Sequence, residues 1–147
     1  MSPNRLKQKA LVLGGAGFIG SNVTQKLLEK DWEVTVVAGL LEKTGGNAKN
    51  LKDCETSIQW IQKSVENCSE LSTLIAESQL ILDSMGWTLH KEAQKFPNYD
   101  RKLNQESHFH AIQSWANSPA GKTGSKPPLY VLLSSRGVYG NPLAPSI

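Results

Sequence analysis

Residues 13–20 read Leu13-Gly14-Gly15-Ala16-Gly17-Phe18-Ile19-Gly20. So dense a cluster of glycines cannot run on as a strand or as the interior of a helix, because each one gives up more backbone freedom on ordering than any other residue. The cluster has to be a sharp turn, and its flanks say between what. Ala10 to Leu13 is a short apolar run, and after the turn Val23, Leu27 and Leu28 recur at helical spacing until Glu29-Lys30-Asp31 breaks the pattern. Trp32 to Val37 follows at once, rich in β-branched residues and short enough for a buried strand. Strand, turn, helix, strand is one crossover unit, and such a unit makes its strands parallel.

The same alternation continues. Ala38 to Glu55 is polar and carries Gly45-Gly46-Asn47, a loop with at most a brief helical turn around Ala48 to Lys52. Ser57 to Ile61 predicts a third strand. Ser69 is a suitable N-cap for a helix whose apolar face holds Leu71, Leu74 and Ile75, and Leu80 to Leu82 predicts strand four. A loop then runs to Pro97 and Asn98, and Tyr99 to Asn117 places Leu103, Phe109, Ile112 and Trp115 on one face of a long crossover helix. Residues 121–128 are breaker-rich, and Leu129 to Leu133 predicts a fifth strand ending in Ser134-Ser135. The expected fold is α/β, a doubly wound parallel sheet in three layers with strand order 3-2-1-4-5. Ligands of such sheets sit beyond the carboxyl ends of the strands. Three segments meet there: the glycine turn, Ser84-Met85-Gly86 and Ser134-Ser135.

The chain of 147 residues has room for one domain. Sixteen Lys and Arg against thirteen Asp and Glu leave a net charge of +3, which supplies no basic stripe for nucleic acid or an anionic membrane. Cys54 and Cys68 have no second pair beside them, so neither a zinc ribbon nor a disulfide framework is expected, and a reduced, cytoplasmic setting fits. No run is long and apolar enough for a membrane span. Gly121-Lys122-Thr123 lacks the first glycine of a P-loop, since position 116 is Ala116. His108 and His110 are two apart and point to different faces of a helix, so no metal site is expected. The four tryptophans are dispersed and read as packing, with Trp87 nearest the expected ligand edge.

From Gly14 the turn parses as G-x-x-G-x-x-G, and from Gly15 as G-x-G-x-x-G. Either spacing lets backbone approach a diphosphate at a helix start, whose unpaired N–H groups and partial positive charge favour an anion. A strand before it, and a helix and second strand after it, complete the dinucleotide fingerprint. The segment from Leu11 to Asn22 resembles the start of the NAD-dependent epimerase/dehydratase family, which are extended short-chain dehydrogenases/reductases. Pro97-Asn98-Tyr99-Asp100 leading to Asn104, and Leu132-Leu133-Ser134-Ser135-Arg136-Gly137-Val138-Tyr139-Gly140, resemble two later segments of that family.

The resemblance implies roles residue by residue. Gly14, Gly17 and Gly20 would seat the diphosphate, with Phe18 and Ile19 packing the helix start around it. Ser135 would be the catalytic serine, Ser134 a support for its backbone, Tyr139 part of the cleft wall, and Asn104 a ligand of nearby main chain. Ala38, with Gly39, stands where NAD-preferring relatives carry an acid for the adenine ribose, so NAD or NADP is admitted, with Lys43 near a 2′-phosphate. Ser64, followed by Val65, replaces the family's Asp beside the adenine. Asp83-Ser84-Met85-Gly86 replaces an H-x-A-A segment near the nicotinamide ribose, with Met85 expected to pack and Met85 and Gly86 to border the coenzyme.

One departure is chemical. The family's Tyr-x-x-x-Lys pair is missing, because Tyr99, Tyr130 and Tyr139 are followed four positions later by Leu103, Ser134 and Leu143. Residues 1–147 are therefore expected to be an NAD(P)-binding Rossmann-like domain cut short at its C-terminus, inactive alone, taken from an enzyme acting on a nucleotide sugar. Strand five would be left as an apolar edge, to be covered by more chain or by a second copy in a homodimer. The rival expectation, motivated by Ala38 and Ser64, is a dinucleotide-sensing or protein-interaction module without catalysis.

Overall fold

The computed structural model describes residues 7–119 and 126–140, which form a five-stranded parallel sheet of order β3-β2-β1-β4-β5. The strands are β1 Lys9–Leu13, β2 Glu33–Val37, β3 Ile58–Ile61, β4 Leu80–Asp83 and β5 Leu129–Leu132. β1 is central. Its last residue, Leu13, is in register with Val37 on one side and Asp83 on the other, so the segments leaving β1, β2 and β4 emerge together. The strand order reverses at β1, which opens a switch point at that carboxyl edge.

Both faces of the sheet are covered, which is why the central strands β1 and β4 read as apolar runs. Ala10, Val12, Val34 and Val36 pack on one face with Val23, Leu27 and Leu28 of helix α1 (Phe18–Glu29). Leu11, Leu13, Val37 and Ile81 pack on the other with Leu71 and Ile75 of α2 (Leu71–Glu77) and Ala111 and Trp115 of α5 (Ser107–Ala116). The expected three-layer α/β sheet is the one observed. A short 3-10 turn at Ala48–Leu51, capped by the Asn47 side chain, occupies the place predicted for a brief helical turn.

Three local expectations are corrected. Ser69 does not cap α2: the cap position falls on Glu70, and the Ser69 hydroxyl donates to the Glu70 carboxylate instead. The segment before Pro97 contains a helix, α3 (His90–Lys95), which has no buried residue and hence no apolar period to betray it. The long crossover helix is broken into α4 (Pro97–Arg101), a wide π turn at Lys102–Glu106, and α5. The extra residue held in that turn advances the buried face by about one position, roughly 100°. Leu103 is therefore followed inward by Ser107 and Ala111, and Phe109, expected on the buried face, stands 59% exposed. Residues 121–125 of the breaker-rich connection, including the Gly121-Lys122-Thr123 triplet, lie outside the described residues.

Glu66, beside the π turn, accepts a short hydrogen bond from the buried Ser107 hydroxyl. Burial alone would raise its carboxyl, but bonds from Ser107, its own backbone and Ser64, with the charge of Lys102, hold it below the usual range. A carboxyl lowered on folding stabilises the protein above its unfolded value, about pH 4.3, and that contribution disappears as pH falls through the folded value. Glu66→Gln is expected to cost roughly 1 kcal/mol near pH 7 and less at pH 3. Urea denaturation of both proteins at the two pH values checks it.

Candidate functional site

The turn after β1 is built from three glycines doing different things. Gly14 has φ +74°, a left-handed conformation that side chains rarely adopt, and its N–H donates to Val37 O at 2.8 Å. A β carbon there would lie 3.0 Å from Met85 N. At Gly20 it would lie 2.6 Å from both Gly14 O and Ser84 Oγ. Those two positions are bare because the fold leaves no room. Gly17 differs: it caps α1 with φ −78° and ψ 172°, which any residue adopts, and a β carbon would meet only Gly14 O, at 3.2 Å.

Helix geometry leaves the N–H groups of Phe18, Ile19 and Gly20 without intrahelical acceptors, Ser21 N being the first bonded, to Gly17 O at 3.0 Å. No side chain caps this end, and the first turn holds no acid. The result is a ring of free amides at the positive end of a helix, behind a residue far less crowded than Gly14 or Gly20. A diphosphate fits that cradle. The side chains of Phe18 and Ile19 are 81% and 53% exposed, so they frame the helix start from its solvent side and pack on no part of the described core.

At the end of β2, Ala38 is buried and its N–H donates to Ile61 O at 3.1 Å. A β carbon on Gly39 would stand 2.8 Å from Ser64 N, so the loops after β2 and β3 touch here, bringing Ala38 and Ser64 to one place. The Ser64 hydroxyl accepts from Asn67 Nδ2 at 3.1 Å. Val65 is turned inward, buried with Leu71 and Ile75.

The β4 end carries the densest polar chemistry. Ser84 donates twice to Leu13 O, from N at 3.0 Å and from Oγ at 2.7 Å, tying the β4 loop to the glycine turn. Met85 packs its side chain on the core shared with α2 and α5, as expected, while its backbone lies against Gly14. Gly86 follows, exposed, with φ +158°. Asp83 is wholly buried. Its Oδ2 lies 2.8 Å from His108 Nδ1 and accepts from Tyr130 Oη at 2.9 Å, and its Oδ1 accepts from Met85 N at 3.2 Å. Burial first, then the Asp83 charge and hydrogen bond, push the Tyr130 phenol far above its ordinary value, so it stays a donor. Sequence spacing speaks to His108 only as a metal ligand and does not disclose this pairing. The signal was Asp83 itself, an acid closing a buried strand, which must find donors on the elements packed beside it.

A strap joins the β2 and β4 loops. Trp87 is buried; its Nε1 donates to Lys43 O at 2.8 Å, and Tyr99 Oη donates to Glu42 O at 2.9 Å. The two rings meet edge to face, 5.1 Å between centroids. Asn104 grips the Trp87 peptide from both sides, accepting from its N at 2.6 Å and donating to its O at 2.9 Å, the main-chain role expected of it. The Lys43 ammonium sits 5.0 Å from the Phe96 ring centroid. Ser134 and Ser135 are exposed beyond β5, and Ser135 O accepts from Val138 N at 3.2 Å. Tyr139, expected against a cleft wall, is 84% exposed. The β5 edge presents Leu129, Leu132 and Leu133 to solvent. Among the described residues no group of acids, histidines and cysteines is placed to hold a metal, and no helix is long and apolar enough to cross a membrane.

Known proteins share this fold. The chain is 34% identical over 76 residues to dTDP-glucose 4,6-dehydratase of Mycobacterium tuberculosis, covering 50% of the chain and 22% of that protein. UDP-glucose 4-epimerase of Thermotoga maritima, solved with UDP-glucose, superposes with TM-score 0.73 at 24% identity, over 93% of this chain and 41% of that one. The UDP-glucose 4-epimerase of Stenotrophomonas maltophila, solved with NAD and formylated UDP-arabinopyranose, gives TM-score 0.75 at 22% identity, over 95% and 40%. The chain thus spans less than half the length of these relatives. With residues 10–146 matching its sequence pattern from the first strand onward, the chain belongs to the NAD dependent epimerase/dehydratase family.

Proposed function

We propose that this chain is the coenzyme-binding portion of a sugar-nucleotide epimerase or dehydratase, and that it binds NAD without turning over a sugar by itself. The observation that carries the reading is Gly17: its backbone conformation suits any residue and a β carbon would meet a single atom, Gly14 O at 3.2 Å, yet it is bare, at the mouth of three free amides. Approach of a diphosphate to backbone explains that vacancy.

Phe18, Ile19 and Gly20 would donate their N–H groups to the diphosphate, and Gly17 would leave the space. Ala38 and Ser64 would lie beside the adenosine, offering no carboxylate to repel a 2′-phosphate, so NADP is tolerated with NAD. Met85 and Gly86 would border the nicotinamide end, and Ser135 would meet the reacting oxygen of a nucleotide sugar. When bound, NAD supplies the hydride acceptor and donor of the family's reaction. Val65, its side chain buried in the core, would border the adenosine through its backbone beside Ser64. The sequence has no tyrosine with a lysine four positions on, the pair that relatives use to move the proton, hence binding without turnover.

Calorimetric titration of the full chain tests this. Micromolar binding of NADH is expected, with NADPH within about tenfold of it, a gap of roughly 1.4 kcal/mol. Silence for both coenzymes would leave the chain an interaction module that kept the sheet.

A further inference from the structure

Asp83 never reaches the glycine turn, yet it is joined to it by one peptide. Its Oδ1 accepts the Met85 N–H, and the Met85 backbone is what Gly14 packs against, so closely that a β carbon on Gly14 would lie 3.0 Å from that nitrogen. Its Oδ2 is held from two other elements, by His108 of α5 and Tyr130 of β5. We propose that His108 and Tyr130 are positioning residues for the coenzyme: acting through the buried Asp83 carboxylate, they fix the Met85 peptide against Gly14 and so set the wall of the diphosphate cradle. The inference rests on the coenzyme reading above.

Three observations carry it. A wholly buried carboxylate is costly unless every lone pair it presents is satisfied, and an apolar residue closing β4 would be cheaper for stability alone. The cluster lies at the carboxyl edge, directly under the β4 loop, rather than in mid-sheet. And the π turn at Lys102–Glu106 is what presents His108 to Asp83: an unbroken helix from Leu103 would bring position 110 round to the sheet, whereas the extra residue advances the face to 107, 108 and 111.

The test uses the full chain, isotopically labelled, with two readouts: exchange of the Met85 amide without coenzyme, and fluorescence titration with NADH. His108→Leu is expected to speed Met85 exchange and weaken NADH by about tenfold each. His108→Asn, whose side-chain nitrogen can stand in for Nδ1, is expected to restore both to within about twofold, and Tyr130→Phe to weaken NADH by about threefold. A folded His108→Leu protein that binds NADH like the parent overturns the proposal, whatever its exchange rates. Should that variant fail to fold, Tyr130→Phe decides, and unchanged affinity there overturns it equally. If the parent itself ignores NADH, the coenzyme reading falls, and the Met85 exchange rates still report whether the cluster holds the loop.

Discussion

Gly20→Ala is expected to lose about 3 kcal/mol of stability, seen as a lower urea midpoint at unchanged slope. The direction is opposite to what helix propensity says, since alanine inside a helix is ordinarily better than glycine by about 0.5–1 kcal/mol. Geometry decides. The added methyl would stand 2.6 Å from Gly14 O and Ser84 Oγ and 2.7 Å from the Gly15 α carbon. Two of these are backbone atoms of the turn, and the third is fixed by its bond to Leu13 O. None can step aside without moving the turn. Gly17→Ala is the companion measurement: its methyl meets one atom, at 3.2 Å, so stability should change by no more than about 0.5 kcal/mol while NADH affinity drops at least about tenfold. A Gly17→Ala protein that keeps full affinity would mean that the amides behind it are not where the diphosphate sits.

Asp83→Ala should be as damaging from the opposite cause, by removing rather than adding. It strips a shared acceptor from His108, Tyr130 and the Met85 N–H at once, at a wholly buried carboxylate. Breaking a buried polar pair on one side costs about 3–5 kcal/mol, much of it the desolvation of the groups left behind. Replacing the whole cluster at once, Asp83→Leu with His108→Leu and Tyr130→Phe, should cost far less, because no orphan remains. The comparison is made by thermal unfolding of the single and triple variants. A single variant no worse than the triple would show that these bonds contribute little.

The fold was legible because its signals are local. An apolar run, a glycine turn and a 3.6-residue period each lie within a dozen residues, and a parallel sheet covered on both faces writes its strands as apolar blocks. The strand order followed from the handedness of crossovers. Less was legible where periodicity is weak or interrupted. α3 buries nothing and leaves no trace in the pattern. The π turn shifts the phase of α5, so Phe109 reads as core and stands in solvent.

The site divides along the same line. The bare positions 14, 17 and 20 could be read from spacing, because a backbone cradle is made by consecutive residues. What the chain alone could not disclose is why each is bare: Gly14 and Gly20 are crowded by a loop more than sixty positions away, while Gly17 is approached only by Gly14 O. Nor could it disclose that Asp83, His108 and Tyr130 share one oxygen, or that Trp87 and Tyr99 hold the loop after β2. The sheet, its order and the turn at its switch point were written in the residues, since short-range sterics and burial period dictate those. Tertiary structure alone decided which polar groups meet at the carboxyl edge, because contacts between distant segments depend on helix phase, and one extra residue in one turn was enough to change which histidine faces the sheet.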